Sequence, residues 1–311
     1  MNATKNTEQT QAALRLASRA SPLALAQTEQ VRSLLAPETS EIVTLSTTGD
    51  EVLDRPLVEV GGKGVFIKTL EKALLDGRAD IAVHSAKDME AEFAQGTRIA
   101  AFLPREDMRD ALVGSYSSIA ELPANAVIGT ASVRRKALLL HMRPDLEIKL
   151  LRGNINSRLE RLAAGEFDAI LLAVAGLKRL HLDVKYTPLE VDEMPPAAAQ
   201  GALALQMVSD HPDQERITRL CAGLNCQDTS DCVTAERAAL AYLDGSCQTP
   251  LSAYARLADE KTLHLQVSVL SIDGSQKFDS SGTAPRSQGA QLGEKLAQEL
   301  LDKCGGRRFL A

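Results

Sequence analysis

The stretch LRLASRASPLALAQTEQVRSLL, residues 14–35, decides the fold. LRLAS at 14–18 is a short aliphatic run of strand length. Ser21 stands where an N-cap accepts from the first free backbone amides of a helix, and Pro22 takes the first helical position, where a missing N–H costs nothing. Strand, short turn and capped helix, in that order, form the repeating unit of an α/β sheet.

The same alternation extends outward. EIVTLS (41–46), ADIAVHS (79–85) and IAAFL (99–103) read as further strands, and a second helix is expected over about 65–75. After Pro104 a similar set begins: DALVG (110–114), AVIGT (126–130), EIKLL (147–151) and AILLAV (169–174) as strands, with helices at about 133–141, 155–164 and 177–180. The expected fold class is α/β, two similar domains with largely parallel sheets facing each other across a cleft, in the manner of periplasmic binding proteins. MPPAAAQGALALQMV (194–208) reads as a crossing between them. From about Cys226 the pattern changes to a helix (233–243), a polar turn, the runs LSAYARLA and TLHLQVSVLSI, a DG turn at Asp273 and Gly274 leading to QKFDSSG, and a last helix over about 287–303. That is a small C-terminal α+β domain with a three-stranded sheet. The expected boundaries are 1–103 plus 203–222, 104–202 and 225–311.

A chain of 311 residues suits two or three such domains, and 44% hydrophobic with 24% charged residues is a globular composition. A net charge of -6 argues against a nucleic-acid partner, so any basic site is local. The polar start MNATKNTEQTQAA and the lack of a long uncharged apolar run give the expectation of a cytoplasmic protein without a membrane partner. Five cysteines, Cys221, Cys226, Cys232, Cys247 and Cys304, are an odd set that forms no disulfide framework. The first three lack a neighbouring histidine or fourth cysteine to complete a zinc site, so no metal is expected.

Chemistry is signalled by arginines at strand-to-helix junctions, where open α/β sheets bind ligands: Arg19, Arg134, Arg135, Arg152, Arg158 and Arg179. Arg134 and Arg135 fall in a first helical turn, where a cation opposes the helix dipole at a cost of roughly 0.3 to 1 kcal/mol. Stability does not select them there, and an arginine fork suits carboxylate or phosphate. Any one alone fits a solvated surface arginine; repetition at the same structural place points to an anion. Ser85, Lys87 and Asp88 follow the strand ADIAVH, and a carboxylate emerging at a strand's C-terminal end is suited to proton transfer or cation stabilisation. GGKG at 61–64 lacks the Walker pattern and reads as a loop able to cover a cleft. Cys247, in the polar turn DGSCQTP, has the setting of a reactive or modified thiol.

Eight segments in order, SRASPLALAQ, VGGKGVFIKTLE, RADIAVHSAKD, GTASVRRKALL, LRGNINSRL, AVAGLKRL, AAAQGALALQ and TAERAALAYLDGSCQTP, resemble the porphobilinogen deaminase (hydroxymethylbilane synthase) family from about Leu14 onward. The resemblance implies a transferase of porphyrin and haem biosynthesis. Four porphobilinogen molecules are joined with loss of ammonia, and water releases the linear tetrapyrrole hydroxymethylbilane. It implies a dipyrromethane cofactor made from the enzyme's own substrate and held by a thioether to Cys247. It further implies Asp88 as the main catalytic residue, with Lys87 beside it, stabilising the cationic azafulvene formed as ammonia leaves. Cofactor and substrate would be held by Arg19, Ser21, Gln27, Lys63, Phe66, Ser85, Lys87, Asp88, Gly129, Thr130, Ser132, Arg134, Arg135, Arg152, Asn154, Arg158, Arg179 and Gln200. A monomer is implied, with porphobilinogen as its small-molecule partner. Two departures stand out: Met89 and Glu90 replace the family's usual apolar residue and proline, and Ala198 and Ala199 occupy the crossing where a glycine is common before glutamine. A solute-binding module fits two facing α/β domains but leaves Cys247 without a task, and a scaffold that had lost catalysis would be expected to lose Asp88 or Cys247.

Overall fold

Residues 12–46, 67–244 and 249–310 are described by the computed structural model. Lys63, Phe66 and Cys247, the GGKG segment and the start of the helix expected at 65–75 lie outside the described residues. In chain order, the first elements are β1 (Leu14–Arg19), α1 (Pro22–Leu34), β2 (Ser40–Leu45), α2 (Lys68–Leu75), β3 (Ile81–Ser85) and β4 (Thr97–Phe102). There follow β5 (Asp110–Gly114), β6 (Val127–Gly129), α3 (Val133–Met142), β7 (Glu147–Lys149), α4 (Ile155–Ala163), β8 (Ala169–Ala173), α5 (Val174–Arg179), β9 (Tyr186–Pro188) and β10 (Leu203–Val208). The remainder is α6 (Gln214–Leu224), α7 (Gln227–Tyr242), β11 (Leu251–Leu257), β12 (Thr262–Leu270), β13 (Lys277–Pro285) and α8 (Gly289–Cys304).

Three sheets result. The first has the order β2-β1-β3-β10-β4 and the second β7-β6-β8-β5-β9, while β11, β12 and β13 form an antiparallel third. The first two lie in α/β layers, and each is mixed rather than largely parallel. β1 runs parallel to β2 and β3, and β6 parallel to β7 and β8. β10 is antiparallel to β3 and β4, and β5 is antiparallel to β8 and β9. Parallel neighbours need a crossover connection. β5 and β10 instead arrive from the opposite sheet along the segments 103–109 and 189–202, and so enter from the other end.

Local chemistry sets the helix starts. Ser21 accepts from the Ala24 amide at 3.4 Å, Ser132 from the Arg135 amide at 3.4 Å and Asn154 from the Ser157 amide at 3.0 Å. Leu16, Val31, Ile81, Val83, Leu205 and Ile217 bury one face of the first sheet under α1 and α6. Leu112, Ile128, Leu138 and Leu171 do the same for the second sheet under α3. In the third unit α7 and α8 cover Ala253, Leu265 and Val267, and Gly293 leaves the room that brings α8 against the Ala235 carbonyl. β9 and α6 go beyond the elements expected from the sequence, the end of the expected crossing, Leu203–Val208, is the interior strand β10, and α7 begins at Gln227, ahead of the expected Val233.

One buried carboxylate joins these units. Glu236 on α7 accepts from the Arg105 fork at 2.6 and 3.1 Å, from the Ala199 amide at 2.6 Å and from the Ala255 amide at 2.7 Å. Ala199 has φ +59°, the left-handed conformation that favours glycine. The turn between β12 and β13 docks on α3, where the Gly274 carbonyl lies 2.9 Å from His141 Nδ1.

Candidate active site

A cavity of about 570 Å³ opens where the C-terminal ends of β1, β3 and β8 approach the N-terminal ends of α1, α3 and α4. Arg19 and Ser21 reach it from the β1–α1 turn, Gln27 from α1, and Ser85, Lys87 and Asp88 from the end of β3. From the facing sheet come Ser132, Arg134 and Arg135 at the start of α3, Arg152, Asn154 and Arg158 around the start of α4, and Arg179 at the end of α5, with Gln200 from the crossing. Gly129 and Thr130 do not line it. A side chain at Gly129 would collide with Leu151, Phe167 and Ile170 in the core, so that position faces inward. The Thr130 amide and carbonyl continue the ladder to Lys149 and Leu151, and its hydroxyl accepts from the Ser132 amide.

A carboxylate that sequence reasoning missed organises the cationic wall. Asp110 opens β5 and is fully buried; its Oδ2 accepts from Arg134 Nη2 at 2.7 Å, and its Oδ1 from Arg135 Nε and Nη2 at 3.1 and 2.7 Å. Arg134 also donates to the Pro195 carbonyl and Arg135 to the Leu171 carbonyl. Burial opposes ionisation of Asp110, but the two guanidiniums outweigh it and hold the carboxyl well below its usual range. Gln200 Nε2 donates to the same Oδ1 at 2.9 Å while its Oε1 accepts from Lys87 Nζ at 3.2 Å. A hydrogen-bonded chain therefore runs from Lys87 through Gln200 and Asp110 to both arginines. The only sequence trace of this role is a charged residue at the head of an otherwise apolar strand.

Positive charge remains in excess. Among the described residues, the cavity wall carries seven cationic side chains against two carboxylates, Asp88 and Glu90, with Asp110 behind it. Burial, then repulsion from Arg135 and Arg152, pushes Arg158 down to about 10, with Asp88 opposing the shift. Lys87 is lowered to about 8, first by burial and then by Arg135, against the pull of Asp88 and Asp110. Burial also lowers Arg179, which donates to the Gly201 carbonyl at 2.8 Å. Arg134 Nε is buried without a hydrogen-bond partner among the described residues. Crowded, desolvated cations of this kind are relieved by anions that accept in pairs from guanidinium groups.

Asp88 ends a single 3-10 turn, Ala86–Asp88, and Ser85 before it accepts from Gln27 Nε2 at 2.8 Å. Met89 is buried with Phe102, Ala202 and Val233, while Glu90 lines the cavity. Leu240, Thr249 and Leu251 complete one side of the wall. The two leucines could not be told from core residues by pattern. Cys221 and Cys232 are buried, and burial raises both thiols to about 11. Among the described residues no group of three His, Cys, Asp or Glu side chains is arranged to hold a metal ion, and no helix is long and apolar enough to cross a membrane.

Residues 14–216 match a family model described as porphobilinogen deaminase, dipyromethane cofactor binding domain, and residues 230–302 match the porphobilinogen deaminase C-terminal domain. The chain belongs to the porphobilinogen deaminase family. A porphobilinogen deaminase of Nitrobacter hamburgensis is 43% identical over 302 residues, covering 94% of each chain, and one of Nitrobacter winogradskyi is 42% identical over 313 residues, covering 98% of each. Among solved structures, a nutrient binding protein from Burkholderia cenocepacia bound to methionine aligns at 12% identity and TM-score 0.43, over 68% of this chain and 91% of that one. The alkanesulfonate-binding protein SsuA from Xanthomonas axonopodis pv. citri bound to MOPS aligns at 16% identity and TM-score 0.39, over 75% of each. The cavity lining from Arg19 to Ala202 falls within the cofactor-binding match of the porphobilinogen deaminase family, and Leu240, Thr249 and Leu251 within its C-terminal match.

Proposed function

We propose that this chain joins four porphobilinogen molecules with release of ammonia and, by hydrolysis, delivers the linear tetrapyrrole hydroxymethylbilane, using a dipyrromethane bound covalently through a thioether to Cys247. The observation that carries the reading is the surplus of desolvated cations around Asp88 in a cleft of small-molecule size. Each pyrrole of substrate and cofactor brings an acetate and a propionate, acceptors that suit guanidinium forks. The Nε of Arg134, buried without a partner among the described residues, and the repulsion of Arg158 by Arg135 and Arg152 support the fit. Arg19, Ser21, Lys87, Arg134, Arg135, Arg152, Arg158 and Arg179 would hold the carboxylates of cofactor and substrate. When bound, the cofactor supplies an electron-rich pyrrole carbon as the starting acceptor.

The chemistry then rests on Asp88. As the C–N bond of the porphobilinogen aminomethyl group breaks, the departing nitrogen leaves as ammonia and positive charge spreads over the pyrrole. The Asp88 carboxylate accepts a hydrogen bond from the ring N–H and stabilises that charge. The cofactor would supply the pyrrole carbon for the new C–C bond, and Asp88, the carboxylate beside it, would take the proton that this carbon loses. Lys87 steadies a substrate carboxylate, and Ser85, Gln27, Ser132, Asn154 and Gln200 set the positions of the charged groups. We place the domain boundaries at 1–103 plus 203–222, 104–202 and 225–311, with a cytoplasmic monomer as the working state.

The test is the intact mass of the purified protein. An excess of two linked pyrrole units, lost on Cys247→Ser, is the expected result. A preparation that turns over porphobilinogen at the bare sequence mass would overturn the covalent cofactor.

A further inference from the structure

Between Asp88 and Thr97 the chain forms neither helix nor strand, so the carbonyls that follow Asp88 have no ladder to join. Arg237, on α7, takes them. Its guanidinium donates to the Glu90 carbonyl at 2.5 Å, the Ala91 carbonyl at 3.2 Å and the Met89 carbonyl at 3.5 Å, and lies 4.9 Å over the Phe93 ring. One helical turn earlier, Val233 packs with Ala86 and Met89, which flank Asp88 by two residues and one. Nearly one turn later, Leu240 lines the cavity. Val233, Arg237 and Leu240 thus form one stripe of α7 at i, i+4 and i+7. Arg237 itself is absent from the cavity wall.

Such a fork is a costly way to fasten a loop. Burial lowers the Arg237 guanidinium to about 10, with Glu90 acting in the other direction. A methionine or leucine would fill the same space without burying charge, but would leave three carbonyls unmet and the loop free to choose among conformations. α7 also leads directly into the segment bearing Cys247, five residues beyond its last residue Tyr242.

We infer that Arg237 is a positioning residue for the reaction: it fixes the backbone following Asp88 to the helix that precedes Cys247, and so sets the carboxylate's place relative to the bound acceptor. This rests on the proposed function, since it assigns Asp88 and Cys247 the roles given there.

The experiment compares full-length wild type, Arg237→Met, Arg237→Lys and Arg286→Met, each purified with its cofactor, with porphobilinogen as substrate. Arg286 pairs with Asp228 and Asp231 on the same helix but far along it from the cavity, so its variant reports on loss of stability alone. Arg237→Met is expected to keep the added pyrrole mass and a KM close to wild type while kcat falls about tenfold or more, because small displacements of a reacting group are that costly. Arg237→Lys keeps the charge but spans fewer carbonyls, and is expected to fall between the two. Arg286→Met is expected to lower Tm and leave kcat unchanged. Wild-type kcat in folded Arg237→Met, or a loss that merely tracks missing cofactor mass, would overturn the inference; if the Met variant does not fold, an undiminished kcat in the Lys variant does so. A wild type that forms no tetrapyrrole would instead overturn the proposed function.

Discussion

Arg135 closes both Nε and Nη2 on a single oxygen of Asp110, at 3.1 and 2.7 Å, with both residues buried. Replacing Asp110 by asparagine keeps the shape and removes the charge that balances Arg134 and Arg135. Breaking a buried pair in this way costs about 3 to 5 kcal/mol. Asp110→Asn is therefore expected to lower the unfolding free energy from urea titration by that amount, and cofactor-free protein should suffer more than loaded protein. An unchanged unfolding curve would mean that the two arginines are balanced elsewhere.

Lys87 provides a pH signature. Its folded value of about 8 lies below the ordinary 10.5, so its ammonium is present below pH 8 and lost as pH rises through that value. Affinity of cofactor-free protein for porphobilinogen, measured by calorimetry, should fall across pH 8, and Lys87→Met should bind more weakly with no step there. The stability of ligand-free protein runs the other way: between about 8 and 10.5 the unfolded chain holds the proton more tightly, so stability rises with pH in that window. A flat binding profile in the wild type would show that Lys87 does not meet a carboxylate.

Asp88→Asn tests the chemistry directly. The isosteric amide should leave thermal stability near wild type and reduce kcat by about a hundredfold or more, in the range typical of a lost charge-stabilising or proton-transfer group. Near-normal turnover would move the catalytic role away from Asp88.

Ala199→Gly is expected to have an unusual sign. In ordinary positions this change lowers stability by roughly 0.5 to 1 kcal/mol. Ala199, however, has φ +59°, and a left-handed conformation costs a residue with a Cβ roughly 1 to 2 kcal/mol. A rise in Tm is expected; a fall would show that the packing of the Ala199 methyl outweighs the relief of strain.

The elements are legible in the sequence wherever local chemistry fixes them. Ser21 as cap and Pro22 at the first helical position mark the start of α1, and the aliphatic runs give most strands. The direction of β5 is not legible, because an apolar run says nothing about which end of a sheet the chain enters, and β10 reads as the end of a crossing because it follows a Pro- and Ala-rich stretch without a break. α7 reads too short in the sequence because its first turns, QDTSDC, are polar and Cys226 offers no side-chain cap. At the cleft, the junction arginines can be picked out by their repetition at one structural place, supported at Arg134 and Arg135 by the local cost of a cation in the first helical turn. Asp110 cannot, because its meaning depends on Arg134, Arg135 and Gln200, each brought to it from 24 or more positions away. Gly129 and Thr130 stand within a few residues of Arg134 yet stay off the cavity wall, a difference of side-chain direction that proximity in sequence does not reveal.

The insertion of β10 between β3 and β4 also orders events during synthesis. The second sheet draws its strands from Asp110 to Pro188, one continuous stretch, whereas the first lacks an interior strand until Val208 has been made. A chain leaving the ribosome can thus finish its later-coded sheet while the earlier-coded one still exposes the edges of β3 and β4. Stalling translation ahead of Leu203 should leave those edges open to protease.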